Sequence, residues 1–335
     1  MNLPHALTRP ALILCLLGLS CAAAQEGARP KKPGVQDPSV RIPIEKLVPD
    51  AVFEVPGMPD WLAIDEEAWV SSAPKDLVAR MDPKTNQVLA LIPVGKEPGN
   101  GLAAAFGSLW VPNCGDSTMS RIDLKTGQVT ATFPLTFAGS EGGIAAGAGS
   151  LWVVIDARST LVRIDPATNK IVAEIRVSPG STAAAFGENA VFVTGTQESV
   201  LSRVDPKTNL VVERIPVGPN PRFLAVGEGS VWTLNQGDGS ISRVDLKTNK
   251  VVATIECGIP GGGGEIAVGE GSVWATSFGF PITRVDPATN KVAQQFFGPG
   301  GDAIRVGLGS VWLSNLRAGN VWRIDPRRIE ATRAN

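Results

Sequence analysis

From residue 51 onward the hydrophobic residues come in short runs, each ended by glycine, asparagine or aspartate. Residues 222–257 show the pattern. Phe223-Leu224-Ala225-Val226 predicts a strand, and Gly227-Glu228-Gly229-Ser230 a turn. Val231-Trp232-Thr233-Leu234 predicts a second strand, followed by the polar loop Asn235-Gln236-Gly237-Asp238-Gly239. Ser240 to Val244 predicts a third strand, and Asp245-Leu246-Lys247-Thr248-Asn249 a hairpin turn into a fourth, Lys250 to Ile255. Short β-branched runs bounded by turn formers are the signature of strands, not helices.

The unit recurs about every 40 residues. Its marker is Arg-hydrophobic-Asp, at Arg80-Met81-Asp82, Arg121-Ile122-Asp123, Arg163-Ile164-Asp165, Arg203-Val204-Asp205, Arg243-Val244-Asp245, Arg284-Val285-Asp286 and Arg323-Ile324-Asp325. Ahead of each stands an aromatic residue: Trp69, Trp110, Trp152, Phe192, Trp232, Trp274 and Trp312. Four antiparallel strands per unit, repeated seven times, predict an all-β seven-bladed β-propeller. Strand-only solenoids, the competing architecture, usually repeat at shorter periods. The first six aspartates are placed to accept backbone N–H bonds in the hairpin turns, and Asn86, Gly127, Asn169, Asn209, Asn249 and Asn290 fall where such turns need a left-handed residue. The recurring arginines are expected to bond between blades, not to form a basic patch.

After Asp325 too few residues remain for a fourth strand, whereas residues 51–56, Ala51-Val52-Phe53-Glu54-Val55-Pro56, read as one standing ahead of the first unit. The N-terminal strand is therefore expected to complete the last blade and remove the open edges of the ring. The propeller then spans residues 51–326, with a short charged tail at 327–335.

The N-terminus changes the picture. Arg9, the apolar run Ala11 to Leu19 and the small residues Ala22-Ala23-Ala24 have the layout of a secretory signal over residues 1–24. The run is too short to span a membrane, so no transmembrane segment is expected. Periplasmic or secreted localisation follows, with lipid anchoring at Cys21 as the second reading. Residues 25–50 hold Pro30, Pro33, Pro38, Pro43 and Pro49 and predict an extended, poorly ordered linker. Lys plus Arg (31) balance Asp plus Glu (32), so there is no basic field for a nucleic acid. Cys114 and Cys257 fall on distant blades and are not expected to pair.

These units, such as Gly229-Ser230-Val231-Trp232 through Ser242-Arg243-Val244-Asp245 to Val252-Ala253-Thr254-Ile255, resemble the YVTN-type propeller repeats of bacterial surface and periplasmic proteins. They are also similar to virginiamycin B lyase-like and gluconolactonase-like propellers. The resemblance implies fold far more than activity. The lyase family is understood to use histidine in its active site, and the gluconolactonase-like propellers to hold a divalent metal through Glu, Asn and Asp. Here the only histidine is His5, inside the presumed signal. No catalytic set is recognisable.

Function should lie where the repeat is broken. On a propeller the loops entering the innermost strands surround the central channel. Those positions carry Asp60, Trp61, Asn100, Glu141, Arg222, Glu265 and Asp302, which differ from blade to blade. They are the candidate binding residues for a small molecule or protein. No organic cofactor is expected. A divalent cation such as calcium is what such a ring of oxygens would admit, the alternative being a water-filled funnel with solvated charges. Phe278 and Phe280 interrupt an otherwise polar set of loops and either anchor a partner or pack on the neighbouring blade. The expected function is an exported, monomeric ligand-binding or protein-interaction scaffold. The alternative is a lyase or metal-dependent lactone hydrolase using channel carboxylates.

Overall fold

The structure, a computed structural model, describes residues 34–137, 142–156 and 159–334. The expected signal over residues 1–24, the first part of the proline-rich segment and Glu141 lie outside them. Seven four-stranded sheets follow one another around a ring. Blade 1 runs Pro59–Ile64, Ala68–Ser72, Leu77–Asp82 and Gln87–Pro93, from the innermost strand outward. Blades 2 to 6 repeat this order, with innermost strands Ala103–Ala105, Ile144–Gly147, Ser181–Gly187, Pro221–Gly227 and Glu265–Gly269. Blade 7 holds Ile304–Gly307, Ser310–Asn315 and Asn320–Ile324. Its fourth strand is Ala51–Glu54, antiparallel to Asn320–Ile324 with Phe53 opposite Val321. The ring is thus closed by the N-terminal strand. Phe53 lies 5.6 Å from the ring of Trp312, inside the cluster that joins blade 7 to blade 1.

The repeated residues have physical jobs. Each second-strand tryptophan is fully buried, and its indole N–H donates to the preceding turn, as in Trp152 to the Gly147 carbonyl at 3.0 Å. A side chain at Gly147 would run into the Phe186 ring of the next blade, so glycine there sets how closely two blades approach. The arginines tie the ring together. Arg163 lies over Trp152, 5.1 Å to the ring centre, and donates from Nη1 to the Pro206 carbonyl and Asn209 Oδ1 in the hairpin of the next blade. Arg121 and Arg243 repeat this, and Arg323 reaches the Pro83 carbonyl across the closure. Arg284 differs because blade 7 has no hairpin to meet. Residues Pro326–Ala331 form a short helix instead, and Glu330 accepts from Arg284 Nη2 at 2.5 Å. The first part of the charged tail thus belongs to a short helix, capped by Asp325.

The expected linker also needs correction from Gly34 onward. Arg41–Pro43 adds a fifth, parallel strand to blade 6 beside Lys291–Phe297, with Ile42 opposite Phe296. Ile42, Ile44 and Leu47 are buried, and Gln294 Nε2 donates to the Ile329 carbonyl, knitting the outer strand of blade 6 to the C-terminal helix. Three apolar side chains find a groove that the proline-rich composition did not reveal. Among the described residues no helix is long and apolar enough to cross a membrane.

Candidate functional site

The turns bear no ligand chemistry. Asp82, Asp123, Asp165 and Asp286 are held below the usual carboxylate range mainly by backbone N–H bonds within their own hairpins, and Asp245 mainly by the Thr248 hydroxyl. Asn86 and Asn169, both at φ 58, occupy the left-handed position as expected.

At the channel, Trp61 points inward and is only 4 % exposed. Its ring meets Phe223 of blade 5, on the far side of the ring, at 6.2 Å between centres and a 50° tilt. It also lies against Gly142 of blade 3, where a Cβ would come within 3.5 Å of the indole. The two rings thus meet across the channel. Phe223 is the partner that sequence reasoning missed. The only signal was a second large aromatic among the unrepeated positions.

Several of the other candidates latch one blade to the next. Asn100, buried and at φ 62, accepts from the Gly143 N–H at 3.1 Å. Thr182 donates to the Arg222 carbonyl at 2.9 Å, and the Arg222 guanidinium lies over the Phe223 ring at 5.9 Å. Glu265 accepts from the Ile304 N–H at 3.0 Å and pairs with Arg305. Burial pushes the Glu265 carboxyl upward, while Arg305 opposes that shift. Asp302 accepts from the Gly264 N–H at 3.3 Å.

Asp60 and Asp302 come together around a cavity of about 200 Å³, with Trp61, Phe278 and Leu316 as its apolar walls. A second cavity of about 450 Å³ adjoins it between blades 6 and 7, and Phe278 lines both. Phe278 is half-buried, its ring 5.1 Å from the Arg317 guanidinium, whereas Phe280 is buried in blade 6. Phe280 thus packs, as one of the two expectations had it, and Phe278 lines both cavities. Asn100 and Glu265 do not line this cavity.

A divalent cation held as in gluconolactonase-like propellers does not fit the donors described. Calcium needs six to eight oxygens. Among the described residues no group of three or more His, Cys, Asp or Glu is arranged to hold a metal, and Glu265 is committed to Arg305 and Ile304. Cysteine chemistry is equally unsupported. Cys114 and Cys257 are both free; burial and the Glu97 charge push the Cys114 thiol up to about 11, and burial raises Cys257 further. Neither is a thiolate at neutral pH.

Seven blades around a central channel define a seven-bladed β-propeller. Lyases are among the solved structures it resembles. A streptogramin B lyase shares 17 % identity at a TM-score of 0.68, covering 87 % of this chain and 95 % of that one. Virginiamycin B lyase from Staphylococcus aureus shares 15 % identity at a TM-score of 0.69, over 81 % and 97 % of the two chains. A catalytically inactive histidine-to-alanine variant of the latter enzyme, solved with quinupristin, shares 16 % identity at a TM-score of 0.67, over 79 % and 94 %. At such identity the likeness establishes the fold alone. No protein-family model and no curated protein matches this chain.

Proposed function

We propose that this chain is an exported, monomeric binding propeller of the YVTN-repeat kind, taking a small molecule or protein segment at the channel mouth without turning it over. The cavity walled by Asp60, Asp302 and Phe278 above the Trp61–Phe223 pair carries the reading. It combines apolar walls, a few convergent polar groups and a rigid frame, which is the usual make-up of a ligand site. Absence of turnover is supported by chemistry. The similar lyase is described as catalytically inactive once a histidine becomes alanine, and the only histidine of this chain is His5, within the expected signal.

A second reading, lyase-like turnover, is favoured by the fold shared with lyases. Incubating the intact protein with quinupristin and following the ligand by mass spectrometry separates the two: conversion of quinupristin above the buffer rate would establish turnover. Binding is tested by a thermal-shift screen of carbohydrates, lactones and peptides on wild type and Phe278→Ala. A stabilising ligand that loses its effect in the variant supports the mouth. Hits indifferent to Phe278→Ala would move the site elsewhere. Export is tested by the mature N-terminus in a cell fraction, expected near Gln25; retention of residues 1–24 in the cytoplasm would sink it.

A further inference from the structure

We propose that the cavity of about 450 Å³ between blades 6 and 7 takes an organic carboxylate, its charge on the Arg317 guanidinium and its apolar body along Phe278 and Pro299. This deepens the channel-mouth reading above and rests on it.

The sequence signal is a break in one set of loops. In blades 2, 4 and 5 the loops between the second and third strands place an acid at the same point, Asp116, Glu198 and Asp238. The blade 7 loop keeps the same register, with Asn315 opposite Asn320, but carries Ala318 at that point and Arg317 before it. Backbone bonds fix this loop. Ala318 and Gly319 donate from their N–H groups to the Asn315 carbonyl at 2.9 and 3.0 Å. Asn315 Oδ1 accepts from the Gly301 N–H at 2.9 Å, tying the loop to residues 298–301, which form another wall of the cavity. At Gly300, φ 108, a Cβ would come within 2.6 Å of Asn315 Oδ1, so backbone alone makes that part of the wall.

The charge follows from the lining. Among the described residues Arg317 is the cavity's one charged side chain, and Phe278, Pro299, Ala318 and glycine backbone make up the rest. Asp60 and Asp302 line the smaller cavity and not this one. Arg284 and Arg305, on the same two blades, are each paired with a carboxylate, Glu330 and Glu265. Arg317 has no ion pair among the described residues and lies over the Phe278 ring, 5.1 Å from its centre. That contact uses none of the five guanidinium N–H donors, so a planar carboxylate can take two of them at once. The same group repels an ammonium. A neutral ligand gains packing but no charge-assisted bond. The apolar wall is also set in advance, because the Phe278 ring lies on the backbone at Gly263, where a Cβ would come within 2.3 Å of it.

The test titrates the intact protein with 3-phenylpropionate, the neutral 3-phenylpropionamide and the charge-reversed 2-phenylethylamine, followed by calorimetry and ligand-observed NMR. The acid is expected to bind and the amine not to. Arg317→Gln should weaken the acid about tenfold, and Arg317→Lys, which keeps the charge without the planar fork, by less. Arg176→Gln makes the same change of net charge on the exposed outer strand of blade 3 and should leave binding as in wild type. Gly-Gly-Phe, run beside the acid, separates the sources of the carboxylate: tighter binding than the acid points to a peptide terminus, weaker binding to a free acid. Equal binding of the first three compounds, or an Arg317→Gln variant that holds the acid as wild type does, would overturn the carboxylate inference. Equal weakening by Arg176→Gln would overturn it too. If binding is nevertheless lost in Phe278→Ala, the channel-mouth reading survives without it. If none of the three binds, the inference falls as well. A Phe278-sensitive hit from the broader screen would then decide the mouth reading by itself.

Discussion

Trp61 and Phe223 show how much a single contact can decide. Two residues from opposite sides of the ring meet across the channel, and Trp61 also walls the small cavity. Trp61→Ala or Phe223→Ala should each cost about 3–5 kcal/mol, read as a lower urea midpoint. A cost no larger than that of a surface substitution would mean the contact across the channel does not stabilise the ring. Glu265 makes a second residue-scale case. Glu265→Ala would strand Arg305 beside a buried wall and should cost on the order of 3 kcal/mol. Glu265→Gln, which keeps an acceptor for the Ile304 N–H, should cost less. Equal loss in the two variants would mean that the acceptor contributes nothing.

At the scale of elements, the hairpins and the N-terminal strap behave differently. The hairpin aspartates have depressed pKa values because backbone N–H groups and threonine hydroxyls bond the charged form. A carboxyl depressed in the folded state contributes stability that is present above its unfolded value and is lost as pH falls through the folded one. Acid should therefore destabilise the ring increasingly below about pH 4. Replacing several of Asp82, Asp123, Asp165, Asp245 and Asp286 by asparagine should flatten the melting-temperature profile there. An unchanged profile would show that these turns do not set it. The strap acts by burial. Ile42→Ala should cost about 2–4 kcal/mol, and amide exchange should quicken first along Lys291–Phe297. These turns were legible in the sequence because the same local demand is written six times. The strap was not. Its prolines imitate a linker, and the groove that buries Ile42 exists only once blade 6 and the C-terminal helix are in place.

For the molecule as a whole, closure is the property at stake. Without residues up to Glu54, blade 7 would keep three strands and expose the edge Asn320–Ile324. Such a truncated chain should self-associate through that edge, seen as larger species in size-exclusion chromatography, whereas the intact protein should elute as a monomer. A truncated chain as monomeric and as stable as wild type would deny the closing strand its role. A chelator should leave the melting temperature of the intact protein unchanged. A fall restored by calcium would reinstate the cation reading.

The sequence by itself determined the architecture: seven units, four strands in each, a ring closed by residues from the N-terminal side, and arginines reaching between blades. Those features depend on local turn chemistry and short-range alternation, which repeat and can therefore be counted. The channel lining depends on which unrepeated residues meet across the ring, and no period encodes that. Only the tertiary structure turned Trp61 toward Phe223, committed Glu265 to Arg305 and Asn100 to Gly143, and left Asp60, Asp302 and Phe278 around one cavity. Contacts between blades far apart in the chain are set by ring geometry, and that geometry exists only after all seven blades have packed.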